Sequence, residues 1–252
     1  MPDVSAQSAV IIDADTGEVL FEKKARELKP PASTTKIITA ILAIEKGNLD
    51  QVVKISSNAA NTGEASVGLK CGDELTMYNL LHGALLKSGN DACVAIAENI
   101  APSEEEFVGL MNLKARAIGA YDTTFYNTNG LPHKKHLTTA YDLAIITRYA
   151  LNNPVFREIV GKKEYTLQWV SPLRQRYIVN TNKLLWTYPT ANGVKTGTTE
   201  SAGRCLVASA HERGRTAIAV VLNSPQRFAD ARKLLEYGFS QLKREEERHV
   251  QR

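Results

Sequence analysis

A serine three residues ahead of a lysine, Ser33-Thr34-Thr35-Lys36, puts a hydroxyl and an amine one helical turn apart. Such a pair can act as nucleophile and base in acyl transfer without a distant histidine. Two further polar clusters follow in order, Ser88-Gly89-Asn90 and Lys195-Thr196-Gly197. Together they offer a second hydroxyl, a side-chain amide, a second amine and a glycine that would let a substrate backbone come close.

Each cluster alone is weak, because the chain carries copies. Ser240-Gln241-Leu242-Lys243 repeats the first, Ser56-Ser57-Asn58 the second, and Lys87-Ser88-Gly89 imitates the third. A chain of this length shows about one S-x-x-K by accident. Context separates them. Ser33 follows Pro30-Pro31-Ala32 and opens an apolar helix, at the positive end of its dipole; a plain N-cap serine would sit there too. Ser240 lies in a charged terminal helix, where both side chains would face water. Ser88-Gly89-Asn90 separates two apolar helical runs, and Gly89 is expected to break the helix and turn both polar side chains outward. An ordinary interhelical turn would read the same. Lys195-Thr196-Gly197 precedes small residues and a strand from Arg204, so Gly197 could expose a strand edge to a substrate backbone; an exposed turn is the alternative. All three in this order and context are much rarer than any one.

Other chemistry finds little support. Asp15-Thr16-Gly17 spells an aspartic-protease triplet but occurs once, at a hairpin tip, and an acid–base dyad needs two carboxylates. His211-Glu212 lacks a second histidine four residues on, and no glycine-rich phosphate loop occurs. Neither a metal nor another cofactor is expected. Cys71, Cys93 and Cys205 are too few for a disulfide framework; Cys93 and Cys205 read as small core residues. A net charge of +4, scattered along 252 residues, argues against a nucleic-acid partner. The start, Met1-Pro2-Asp3-Val4, does not resemble a signal peptide, and no run reaches membrane-spanning length.

The elements that must hold these groups follow from periodicity. Residues 8–13 and 18–22 predict a hairpin. Ile37, Ile38, Ile41, Leu42 and Ile44 mark one face of a helix from Ser33, with Gly47-Asn48 as its stop. Further helices are expected near 76–86, 90–100, 104–118, 139–150 and 226–244, and strands at 204–210 and 216–222. The charged end, 243–252, is expected to fray. The predicted fold is α/β (α+β), an antiparallel sheet flanked by helices. Segments 1–30 and 185–252 would form a sheet lobe and 31–184 a mainly helical lobe, with a cleft between them.

The three signatures are those of penicillin-binding proteins and related β-lactamases. Beyond them, Pro31–Lys36, Ser88–Cys93, Phe107–Asn112, Asn129-Gly130-Leu131, Thr139–Ala144, Asn180-Thr181-Asn182 and Gly193–Gly197 are similar to segments of the D-alanyl-D-alanine carboxypeptidases. The likeness runs from about Val4 to Gly238. It implies a penicillin-binding fold and cleavage of stem peptides ending in D-Ala-D-Ala, with β-lactams as covalent inhibitors. Ser33 would be the nucleophile, Lys36 its base and Ser88 a proton relay, with Asn90 on the substrate amide. The N–H groups of Ser33 and Thr198 would form the oxyanion hole. Lys195 and Thr196 would hold the terminal carboxylate or polarise the site, Gly197 would let the substrate backbone approach, and Arg227 would lie near that carboxylate; a solvated helix-start arginine is the alternative for Arg227. The resemblance also implies an extracytoplasmic enzyme, although neither a C-terminal β-rich domain nor an amphipathic anchor is expected in this chain. A β-lactamase is the nearest alternative, but no E-x-x-L-N segment is found; a non-catalytic wall-binding homologue is another.

Overall fold

Strand β1 (Ser8–Asp13) is buried along its whole length, because its alternate side chains enter two different cores. Val10 and Ile12 face one core, Ala9 and Ile11 the other. This computed structural model describes residues 1–250. β1 pairs antiparallel with β2 (Val19–Lys23), and the Asp13 carboxylate closes the hairpin by accepting from Asp15 N–H and the Thr16 hydroxyl. Asp15-Thr16-Gly17 is therefore a turn.

A 3₁₀ turn over Ala32–Thr35 leads into α1 (Lys36–Lys46). Next come β3 (Val52–Lys54), α2 (Ser57–Ala60) and β4 (Glu74–Thr76). The helices α3 (Met77–Leu86), α4 (Asn90–Ile100), α5 (Glu104–Ala117), α6 (Ala140–Leu151) and α7 (Pro154–Gly161) follow. A hairpin of β5 (Glu164–Ser171) and β6 (Arg174–Val179) and a short α8 (Leu184–Thr187) precede β7 (Ala191–Thr199), β8 (Gly203–Glu212) and β9 (Arg215–Leu222). The chain closes with α9 (Arg227–Val250). The segment expected to fray thus continues α9 to Val250, and residues 251–252 lie outside the described residues.

The main sheet has the order β2-β1-β9-β8-β7 with every pair antiparallel. One face, with Val207, Ile218 and Val220, packs on the helical region including α1, α3 and α4. The other carries Ala208, Ala217 and Ala219 against Leu234 and Leu235 of α9. Alanines on that face let α9 come close: a Cβ on Gly238 would lie 2.5 Å from Ile11. The mixed α/β architecture agrees with the expectation. A second sheet, β3-β4-β5-β6, was not foreseen inside the region read as mainly helical. β3 and β4 are three residues each, and β6 is largely exposed, so neither shows the apolar alternation that marks a half-buried strand.

β7 carries Lys195, Thr196 and Gly197. It forms an edge, so alternate residues turn backbone N–H and C=O away from β8 and toward the segment preceding α1. Among the described residues no helix is long and apolar enough to cross a membrane.

Candidate active site

Ser33 sits in the 3₁₀ turn, not in the first turn of the α-helix. Side chains at i and i+3 eclipse in 3₁₀ geometry, which brings Lys36, the first residue of α1, directly beside it. Lys36 Nζ lies 2.9 Å from Ser33 Oγ. It also lies 2.8 Å from Asn90 Oδ1 and 2.6 Å from the Asn129 carbonyl. Both of those oxygens can only accept, so they take two amine hydrogens and leave the third direction to the serine. In a neutral amine that direction is the lone pair, positioned to receive the Ser33 proton. The N-cap alternative for Ser33 fails here: its oxygen faces the amine, and Thr35 at the N-cap makes no side-chain cap.

Lys36 has no exposed surface. Burial lowers its pKa from 10.5 to about 8, against the smaller opposing pull of Asp91 and Glu64. Asn90 is held in orientation because its Nδ2 donates to the Gly63 carbonyl at 3.0 Å. Asp91 accepts from Ser66 Oγ and the N–H groups of Val67 and Leu69, fastening the 61–69 loop to the start of α4.

Between α3 and α4 the backbone departs from expectation. The left-handed residue is Ser88, at φ 67°, while Gly89 has an ordinary φ of −59°. A side chain at Gly89 would lie 2.8 Å from Asp91 Oδ1 and 2.9 Å from Val67, so close packing requires this glycine and helix breaking does not. The positive φ falls on Ser88, whose Oγ accepts from Lys195 Nζ at 3.1 Å; the same amine donates to the Thr196 carbonyl at 2.9 Å. Lys195 is also buried, and burial followed by the charge of Lys36 places its pKa well below the usual lysine value.

Lys195, Thr196 and Gly197 lie within β7 itself, not before a strand. A Cβ on Gly197 would sit 3.0 Å from Ser33 N, so the edge strand and the nucleophile turn are in backbone contact. Arg227, first residue of α9, donates through Nη1 to the Gly197 carbonyl at 2.8 Å and Thr198 Oγ1 at 2.7 Å. It is half-buried and pinned to β7, which excludes the solvated reading. Lys36, Lys195 and Arg227 spend all these hydrogen bonds on neutral oxygens. The Arg227 guanidinium is therefore held on β7 without a carboxylate among these bonds and is placed to meet an anionic group.

The D-alanyl-D-alanine carboxypeptidase family profile matches residues 1–226. The chain belongs to that family. It is 41% identical over 244 residues to the D-alanyl-D-alanine carboxypeptidase DacF of Bacillus subtilis, covering 94% of this chain. It is 37% identical over 254 residues to DacC of Escherichia coli, again 94% of this chain. It spans 62% of the length of each of these relatives. The crystal structure of the Streptomyces K15 DD-transpeptidase matches with a TM-score of 0.91 at 34% identity, covering 95% of this chain and 98% of that one.

In this carboxypeptidase-family chain the structure brings Ser33, Lys36, Ser88, Asn90, Lys195, Thr196, Gly197, Thr198 and Arg227 together through hydrogen bonds and the approach of β7 to the Ser33 turn. It leaves the copies elsewhere: Ser56 caps α2 and bonds Glu98, while Ser240 donates to the Tyr237 carbonyl within α9. Sequence reasoning missed three contributors. Asn129 offers only its carbonyl, which no side-chain pattern reveals. Thr181 meets Thr196 Oγ1 at 2.6 Å from a loop whose N–H donates to Leu86 O. His136 buttresses the nucleophile turn: its Nδ1 accepts from Tyr126 N–H, so Nε2 carries the hydrogen and donates to Thr35 Oγ1 at 2.9 Å. The Thr35 hydroxyl in turn donates to the Ala32 carbonyl at 2.9 Å.

Proposed function

We propose that this chain is a serine-type D-Ala-D-Ala carboxypeptidase that releases the terminal D-alanine of peptidoglycan stem pentapeptides through an acyl-enzyme on Ser33. One observation carries the reading: a serine hydroxyl faces a buried lysine amine whose pKa is lowered to about 8, beside a strand edge where the Arg227 guanidinium bonds neutral oxygens. The first feature suits attack on a carbonyl, the second a substrate ending in a carboxylate.

In this reading Ser33 Oγ attacks the carbonyl between the two D-alanines as its proton passes to Lys36 Nζ. The N–H groups of Ser33 and Thr198 face the developing oxyanion, a contribution of about 3 kcal/mol per donor in such sites. Asn90 Nδ2 and the β7 edge align the peptide. Lys195 donates to Ser88 Oγ and so leaves the Ser88 hydrogen free to reach the departing amine; Lys36 restores it. Thr196 and Arg227 hold the terminal carboxylate. D-Alanine departs, and water, activated by Lys36, hydrolyses the ester. Gly197 permits the close approach of the acylated backbone. The substrate is wall peptide, which places the reaction outside the cytoplasm.

β-Lactams, which mimic the D-Ala-D-Ala terminus and acylate the same serine, are the natural probe. Mass spectrometry after penicillin treatment is expected to show one adduct, mapped to Ser33, and none in Ser33→Ala. Release of D-alanine by Ser33→Ala at the wild-type rate would refute the assignment, and fast penicillin turnover without peptide cleavage would favour a β-lactamase. Because the Streptomyces K15 relative is called a transpeptidase, an added amine acceptor tests whether water or amine takes the acyl group.

A further inference from the structure

Between Pro30, three residues before Ser33, and Ser201, just past β7, opens a groove of about 630 Å³. Pro30, Pro132 and Leu137 supply its apolar surface, Ser201 closes it at the end of β7, and Lys134 and Lys135 line it with two cations. Lys29 next door is already paired with Glu27 at 3.2 Å, but no protein carboxylate pairs with Lys134 or Lys135 among the described residues. The loop presenting them is held from within. Asn127 bonds the Gly130 N–H and the Leu131 carbonyl, His133 Nδ1 accepts from Lys135 N–H, and His133 stacks on Tyr126 with centroids 4.1 Å apart. The cations are thus offered from a set backbone, which lowers the ordering cost of pairing with them.

The direction of β7 determines what reaches this groove. With the substrate carboxylate at Thr196 and Arg227, a peptide pairing antiparallel with the β7 edge runs upstream past Thr198 toward Thr199 and Ser201. At about 3.4 Å per residue, the residues two to four positions before the scissile bond arrive at the groove. We infer that this groove is the upstream donor subsite, and that Lys134 and Lys135 select peptides with a free carboxylate there over peptides in which that carboxylate is amidated. The inference rests on the proposed carboxypeptidase activity and names a specificity device within it.

The test compares three substrates by D-alanine release: an acidic stem pentapeptide ending in D-Ala-D-Ala, the same peptide with its upstream carboxylate amidated, and a diacetyl-lysyl-D-Ala-D-Ala too short and uncharged to use the lysines. Wild type is expected to favour the acidic peptide in kcat/KM by about three- to tenfold, the range of two partly exposed ion pairs. The ratio shrinks toward one in 1 M salt. K134Q/K135Q is expected to erase the ratio while leaving the short substrate and penicillin acylation unchanged; both lysines are exposed, so folding is not at stake. Equal use of acid and amide by active wild type, or a ratio that survives in the double variant, overturns the groove assignment alone. Failure with all three substrates and with penicillin overturns the activity on which it rests.

Discussion

Acylation of Ser33 is expected to follow the neutral fraction of Lys36. An ordinary lysine of pKa 10.5 is about 0.03% neutral at pH 7. With the pKa lowered to about 8, roughly 9% is neutral. Burial thus raises the competent fraction by a few hundredfold, on the order of 3 kcal/mol. The assay is the rate of acylation by a fluorescent penicillin from pH 5.5 to 9.5. It should climb about tenfold per pH unit below pH 7.5 and level off above about 8. Lys36→Arg, charged throughout, should lose about 10²–10⁴ of the rate together with the pH limb. Because the Glu64 carboxylate raises the Lys36 pKa, Glu64→Gln should move the limb to lower pH, by a few tenths of a unit given the exposure of Glu64. A profile flat between pH 6 and 9, or a limb near 10.5, would refute the reasoning.

Four other outcomes follow from the structure. Gly130 has φ 90°, and a Cβ there would come within 1.9 Å of the Ala32 carbonyl, so Gly130→Ala should cost more than about 2 kcal/mol in denaturant melts and slow penicillin acylation. Gly109→Ala, in α5 with no atom in the way, should instead stabilise by about 0.5–1 kcal/mol. Burial lowers the pKa of both His82 and His136 from 6.5 to about 4, so both are neutral in the fold and would gain a proton earlier when unfolded. Their stabilisation is complete above pH 6.5 and is lost as pH falls through 4, on the order of 2–3 kcal/mol each by pH 4.5; unfolding free energies unchanged between pH 7 and 4.5 in wild type and His82→Gln alike would contradict this. Arg227→Gln should lower kcat/KM for a D-Ala-D-Ala peptide by about 30-fold, mostly through KM, and an equal loss with the C-terminal amide of that peptide would show that Arg227 does not read the carboxylate.

The groups of the candidate site were readable in the residues. Ser33 and Lys36 are three apart, and any helical turn, 3₁₀ or α, brings such a pair together. The hairpin, α1, α3 to α6 and α9 were legible for a similar reason, since apolar periodicity records which face of an element is buried. Interactions between distant segments carried the rest. The Lys36 pKa depends on protein packed around it from α4 and the Asn129 loop, and no local spacing encodes desolvation. Lys195 became a partner of Ser88 because β7 ends the sheet and lies against the 3₁₀ turn. Gly89 was read as the helix breaker because local propensity favours glycine there, whereas the left-handed residue of that turn is Ser88 and Gly89 answers to the close approach of Asp91 and Val67. Arg227 had no signal of its own until α9 placed it over the Gly197 carbonyl. Local order specifies which groups a segment can present; only long-range packing, by excluding water and fixing neighbours, makes a lysine a base and a strand edge a substrate cradle.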